Sequence, residues 1–162
     1  MESGKKTKQE SRVSFHYLAR GIIRSEGHIL LVRAIGDTMT FLPGGHIEFA
    51  EPAASALARE LWEEASIEAT VGRFVGAAEN EWFDHGVTQS EINLIFEVNT
   101  SLTHSQPITS NESHLEFFWV RCEDIEQWNL YPEALRALVK QERLPQQAFW
   151  GSGVSGENTV SC

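Results

Sequence analysis

Polar and apolar residues alternate along SFHYLARGII from Ser14 to Ile23, with Phe15, Tyr17, Ala19 and Gly21 on one side, which predicts a strand. Ser25-Glu26-Gly27 reads as a turn, and His28 to Arg33 (HILLVR) returns as a second strand. Ala34 to Thr40 reads as a loop, Phe41-Leu42 as a short extended piece and Pro43-Gly44-Gly45 as a sharp turn, with Ile47 to Phe49 leading into a helix. The period then changes. Pro52 fits a first helical turn, where its missing N–H costs nothing, and Ala54, Leu57, Ala58, Leu61 and Ala65 form one apolar stripe. Trp62 falls outside that stripe, as a partly exposed packing residue.

Further on, Ala69–Glu81 and Glu91–Asn99 read as two strands joined around Asp84-His85-Gly86. INLIFEV within the second is a nearly continuous apolar run, the pattern of a strand buried on both faces. A polar loop over 100–110 precedes another strand, HLEFFWV. Tyr131-Pro132 opens a second helix with Leu135, Leu138 and Val139 as its stripe. Strands around one central helix, with a second helix after the last strand, predict an α/β fold: an α/β/α sandwich around a mixed β-sheet. The expected boundaries are a mobile tail over 1–12, one domain over 13–144 and a flexible, Gly/Ser/Gln-rich tail over 145–162.

At 162 residues and 41% hydrophobic, the chain has enough material for one core and not for two. Its net charge of -10 repels nucleic-acid backbones and anionic membranes, which points away from nucleic acid as a partner. Bound cations can still invert the local potential and admit a small polyphosphate. Cys122 and Cys162 form no disulfide pattern, and neither a secretory leader nor a run long enough to span a membrane is present, so the reading is a cytoplasmic protein.

The chemistry concentrates between Gly45 and Ile67, GHIEFAEPAASALARELWEEASI. Glu60, Glu63 and Glu64 stand at i, i+3 and i+4, sharing an arc of roughly 100° on a helix. Like charges on one face repel unless a cation sits among them, and an oxygen-rich cluster suits a hard ion such as Mg²⁺ or Mn²⁺. The six histidines form no metal pattern, and no Ser-His-Asp or Cys-His arrangement is visible.

Gly45, Glu51, Arg59, Glu60, Leu61, Glu63, Glu64 and Ile67 fall on the spacing G-x5-E-x7-R-E-U-x-E-E-x-G-U, where U is a bulky aliphatic residue. The chain thereby resembles the Nudix (MutT-like) hydrolases, in particular their small bacterial-type members. One position departs: Ser66 stands where the family has a glycine. That position is expected to take positive φ after the helix, at a cost to serine of ~1 kcal/mol. GAAENEW, SEINLIFEV, ESHLEFFWV and YPEALRALV resemble the family's downstream elements and extend the likeness over about residues 14–141.

The resemblance implies metal-dependent cleavage of a diphosphate linkage in a nucleoside diphosphate derivative: a nucleotide sugar, ADP-ribose, a dinucleoside polyphosphate or an oxidised nucleoside triphosphate. It implies that Glu63 and Glu64 are metal ligands and that Glu60 is a ligand or the general base. Arg59 would hold the carboxylates, the Gly44 carbonyl would complete the shell beside Gly45, and Glu51 would act behind them or at the helix start. Glu112 is the downstream candidate ligand, with Glu116 its competitor. Arg33 is a candidate phosphate contact, while Glu79, Asn80, Trp82 and Phe83 lie where some relatives recognise base or sugar. A silent nucleotide-binding sensor and an RNA 5′-end pyrophosphohydrolase are the alternatives, and monomer and homodimer both stay open.

Overall fold

The computed structural model describes residues 12–155. In chain order the elements are β1 (Arg12–Ile22), β2 (Arg24–Ser25), β3 (His28–Ala34), β4 (Gly44–His46), α1 (Ala53–Ala65), β5 (Thr70–Asp84), β6 (Val87–Asn99), β7 (Leu115–Arg121), a 3₁₀ helix (Cys122–Trp128), α2 (Leu135–Lys140) and β8 (Phe149–Gly153). A five-stranded sheet runs β4-β1-β6-β5-β8 and a three-stranded sheet runs β2-β3-β7. The larger sheet is mixed: β1 is parallel to β6 and β5 to β8, while the other pairs are antiparallel.

The β5–β6 hairpin forms because Asp84 and Val87 close a two-residue turn in which His85 and Gly86 both take positive φ, the geometry that matches strand twist. Its length fixes which residues share a face. His16, Glu91 and Asn80 stand in one cross-strand row, with Ser14, Gln89 and Trp82 in the next row on the same face. Tyr17, Ile92 and Glu79 stand in a row on the opposite face.

Two apolar layers enclose the sheets. One joins Ile22, Leu31, Val75 and Ile95 to Leu135 and Leu138 of α2. The other joins Ala19, Ile23, Leu30 and Val98 to Ala56, Leu57 and Leu61 of α1. Helices on both sides of the strands make the α/β/α sandwich, as the alternation of periods predicts. The α1 stripe is rotated from expectation: Ala56, Leu57, Leu61 and Ala65 are buried while Ala54 is exposed, which leaves Glu60 and Glu64 at the stripe's margin.

Three features depart from the sequence reading. The 3₁₀ helix lacks an apolar periodicity, with Ile125 its single buried residue. The second helix begins at Leu135, after rather than at Tyr131-Pro132. The third departure concerns the expected flexible tail: residues 149–153 are a strand that adds to β5, with Phe149 packed on the α2-side core. Parallel pairing with a distant partner leaves no local trace in FWGSG. The N-terminal tail up to residue 11, and Cys162, lie outside the described residues. Phe149→Ala should lower stability by about 2 kcal/mol, below the value for a fully buried phenylalanine because the ring is only partly covered. Urea denaturation checks this, and an unchanged midpoint would return residues 145–155 to the status of a tail.

Candidate active site

Arg59 organises the acidic face of α1. Its Nε and Nη2 donate to the two oxygens of Glu51 at 2.8 and 2.9 Å, a bidentate pair. Its Nη1 donates to Glu60 at 3.1 Å and to Glu63 at 3.0 Å, and Nη2 also reaches the His46 carbonyl at 3.1 Å. One guanidinium therefore holds three carboxylates and the backbone leading out of β4. The Arg59 bonds, with a backbone N–H from Glu48, pull the Glu51 carboxyl down to about 2, and the same contacts push Arg59 up.

Glu64 is the carboxylate that Arg59 does not reach. Its Oε2 is buried and has no hydrogen-bond partner among the described residues. Burial first and the charge of Glu60 next raise its carboxyl to about 7; Glu112 and Glu63 add to this and Arg20 opposes it. Across from it, β4 brings backbone close to α1. Gly44 has φ +131°, and a Cβ there would lie 2.1 Å from the Ala19 carbonyl oxygen. A Cβ at Gly45 would stand 2.5 Å from the Glu60 carboxylate. The glycine pair is thus a steric requirement of the acidic site. Among the described residues no three His, Cys, Asp or Glu side chains converge into a ready-made metal shell. The donor set nevertheless fits a divalent cation, because an orphaned carboxylate oxygen beside like charges is what such an ion relieves.

The C-terminus of α1 takes the form expected of a glycine-ended helix. Ser66 has φ 51° and ψ 33°, its N–H reaches the Trp62 carbonyl, and the Ile67 N–H reaches Leu61. The serine adds something a glycine lacks: its Oγ accepts a bond of 2.9 Å from Asn111 Nδ2, which also donates to the Glu63 carbonyl at 3.0 Å. The Asn111 N–H donates to the Glu64 carbonyl at 2.6 Å. This clamp docks the loop carrying Glu112 onto the helix end, close enough for Glu112 to influence Glu64. Glu116 is engaged elsewhere, accepting from Arg33 Nε at 2.6 Å directly across β3 and β7.

Two cavities meet at this site. One, of about 370 Å³, is lined by Arg33, Gly44, Gly45, Glu60 and Glu64. The other, of about 480 Å³, is lined by His16, Met39, Asn80, Trp82, Glu91 and Tyr131. Leu18, Arg20, Phe41 and His46 line both. Trp82 stacks near His16, with ring centroids 5.7 Å apart. Glu79 does not belong here: it lies on the other face of the sheet and accepts from Ser152 Oγ at 2.8 Å. Strand alternation separates it from Trp82, three residues on.

Sequence reasoning missed Arg20, His16 and Glu91. Arg20 donates to the Gly44 carbonyl at 2.6 Å and the Leu42 carbonyl at 3.2 Å, supporting the glycine turn from beneath. The Gly44 carbonyl keeps a second lone pair for another partner. Burial pushes the Arg20 guanidinium down, while Glu91, Glu64 and Glu60 act against that. His46, at the end of β4, is exposed and pairs with His16 at 3.0 Å. Burial, then His16 and Arg20, push its pKa down.

Fold and site together define an enzyme of the Nudix hydrolase class. Residues 16–141 match the NUDIX domain, and the chain belongs to that family. A MutT-like protein of Streptomyces ambofaciens is 30% identical over 80 residues, 49% of this chain and 48% of that protein, so the match spans about half its length. Phosphatase NudJ of Escherichia coli (strain K12) is 28% identical over 138 residues, 80% of this chain and 87% of that one. The crystal structure of a MutT protein from Methanosarcina mazei Go1 superposes with a TM-score of 0.61 at 23% identity, covering 82% and 94% of the two chains, a likeness of fold.

The acidic site sets a pH dependence for the metal-free protein. The Glu64 carboxyl titrates near 7 when folded, against an ordinary 4.5. Between those values the folded protein holds a proton that the unfolded chain has released, so stability present below pH 4.5 falls as pH rises through 7. Glu51 acts in the opposite sense and at lower pH: its contribution, present above 4.5, is lost as pH falls toward 2. Thermal melts in chelator from about pH 4.5 to about pH 7.5 should show the midpoint falling in wild type and a flatter profile in Glu64→Gln. Parallel profiles would contradict the raised carboxyl.

Proposed function

We propose that this chain is a metal-dependent diphosphatase that hydrolyses a phosphoric anhydride in a small-molecule nucleoside diphosphate derivative, a nucleotide sugar, ADP-ribose or an (oxidised) nucleoside triphosphate among them. The observation that carries the reading is the buried, unpartnered Glu64 oxygen beside Glu60 and the Gly44-Gly45 turn. Glu60, Glu63, Glu64 and the Gly44 carbonyl would hold Mg²⁺ or Mn²⁺, with Glu112 at hand from the clamped loop. When bound, the ion supplies Lewis-acid stabilisation of phosphate oxygens and a lowered pKa for attacking water.

The chain's own groups do the rest. Arg59 orients Glu60 and Glu63 so that their second oxygens stay available, and Glu51 fixes Arg59 in turn. Glu60 is the candidate proton acceptor for the attacking water. Arg33 lines the cavity and can offer its free guanidinium nitrogens to a phosphate while Nε stays on Glu116. Arg20 holds the turn rigid from below, so the Gly44 carbonyl keeps its direction. The second cavity, with Trp82, is the recess for the nucleoside side of the substrate. No helix among the described residues is long and apolar enough to cross a membrane.

A panel of nucleotide sugars, ADP-ribose, dinucleoside polyphosphates, nucleoside triphosphates and 5′-triphosphorylated RNA, assayed with Mg²⁺ and Mn²⁺, tests the reading. Tight binding without turnover on every member would favour a sensor module instead. On the best substrate, Glu63→Gln and Glu64→Gln should each reduce hydrolysis by at least ~10²-fold, the scale of losing a preorganised charge-stabilising group. Trp62→Ala should leave it nearly unchanged, since that ring is 53% exposed and outside both cavities. Near wild-type rates in both glutamine variants at limiting metal would remove the site. Mg²⁺ or Mn²⁺ should also raise the thermal midpoint of the wild-type protein by binding the native state, an effect read by calorimetry.

A further inference from the structure

Glu91 is a carboxylate on the strand face beside the acidic site. It is 6% exposed and lines the 480 Å³ cavity. Among the described residues it makes no hydrogen bond or ion pair, because the polar groups around it are engaged elsewhere. His16 bonds Gln89 at 2.8 Å and His46 at 3.0 Å, and Arg20 bonds Asn93, Leu42 and Gly44. Arg20 is near enough to feel the charge of Glu91. A carboxylate that faces a cavity without a protein donor is open to a ligand that supplies one.

The surroundings define that ligand. An ionised carboxylate only accepts hydrogen bonds, and its two oxygens match two donors side by side. Trp82, Phe41 and Tyr131 offer apolar walls for a flat ring. Asn80 stands across the strand from Glu91 and brings a carboxamide that can donate to a ring carbonyl. The two cavities share Arg20, Phe41 and His46, so a molecule with its ring here directs its phosphates toward Glu60 and Glu64.

Among heterocycles the Watson–Crick edges differ in this respect. Adenine and cytosine set an amino donor beside a ring-nitrogen acceptor, whose lone pair faces a carboxylate unfavourably. Uracil has one N–H between two carbonyls. The 2-amino-4-oxopyrimidine edge, carried by guanine and by pterins, has an N–H beside an amino group and a carbonyl beyond.

We infer that Glu91 selects a substrate whose leaving portion carries a 2-amino-4-oxopyrimidine edge, accepting its two adjacent N–H donors while Asn80 donates to its carbonyl. The inference rests on the hydrolase reading for the direction of the phosphates, and not for the recognition of the ring. It makes Glu91 a specificity-determining residue in contact with substrate.

The test compares guanosine, inosine and adenosine 5′-triphosphates and 7,8-dihydroneopterin triphosphate by kcat/KM with Mn²⁺. In parallel, GMP, IMP, AMP and neopterin monophosphate are titrated against wild-type protein by calorimetry. Guanosine or pterin should exceed adenosine by about 10²-fold, and inosine, which lacks the amino group, should fall about 10-fold below guanosine. The larger of the guanosine and pterin values identifies the source of the edge. Glu91→Gln supplies an acceptor beside a donor, the complement of adenine, so it should lose most of the guanosine preference and gain adenosine binding.

Equal treatment of all four rings, an adenosine preference in wild type, or a Glu91→Gln variant that lowers every ring by one common factor would overturn the assignment. Selective GMP or pterin binding without hydrolysis of any panel member would sustain it while removing the hydrolase reading. Should Glu91→Gln fail to fold, the wild-type ring series decides alone.

Discussion

Mutual repulsion among the carboxylates of α1 is the constraint around which this structure is arranged. Glu60, Glu63 and Glu64 share one helix face, and Glu51 is brought against them by the turn into the helix. A single guanidinium answers most of that charge, since Arg59 engages Glu51, Glu60 and Glu63 together. Glu64 is left over, half-buried, with its carboxyl pushed up to about 7 by burial and by the charge of Glu60. An arrangement that neutralised all four carboxylates internally would have nothing to offer a cation. Stopping one short leaves an unanswered acidic group on a helix whose other side is fixed by Leu57 and Leu61 in the core.

The sheet converts that local demand into a binding geometry. β4 meets β1 at Leu18–Arg20, so the glycine turn sits beside the strand that carries Arg20. From there β1 continues alongside β6, and the next rows outward present His16, Glu91, Asn80 and Trp82 on the same face. The acidic site and the second cavity are therefore two stretches of one strand surface, and Arg20 lines both. Its burial is compensated by carbonyl acceptors on one side and the charges of Glu91, Glu64 and Glu60 around it.

Legibility in the sequence followed the range of the interaction. The α1 signature was readable because Arg59, Glu60, Glu63 and Glu64 are separated by helical spacings, which bring them together within one element. Even the departure at Ser66 was interpretable, since positive φ after a helix is a local property, and the structure shows that conformation. What could not be read depends on pairing between distant segments. Arg20 looked like one polar residue in an alternating strand until β4 was laid against it. Glu79 and Trp82 looked equivalent until strand parity placed them on opposite faces. β8 carries no alternation of its own and exists because β5 offers it an edge.

Ser66 shows how a departure from a family pattern can be structural rather than degenerative. A glycine would accept the left-handed conformation with less strain, but it has no side chain with which to hold Asn111. Here the serine Oγ takes one Asn111 N–H while the Glu63 carbonyl takes another, and the Glu64 carbonyl accepts from the Asn111 backbone. Three bonds at the end of one helix fix the loop that carries Glu112. The residue that weakens the turn thus strengthens the link between α1 and a fifth carboxylate. Ordering that loop in advance would remove an entropic cost from assembling the proposed metal site, and the small backbone strain at Ser66 is offset where it arises.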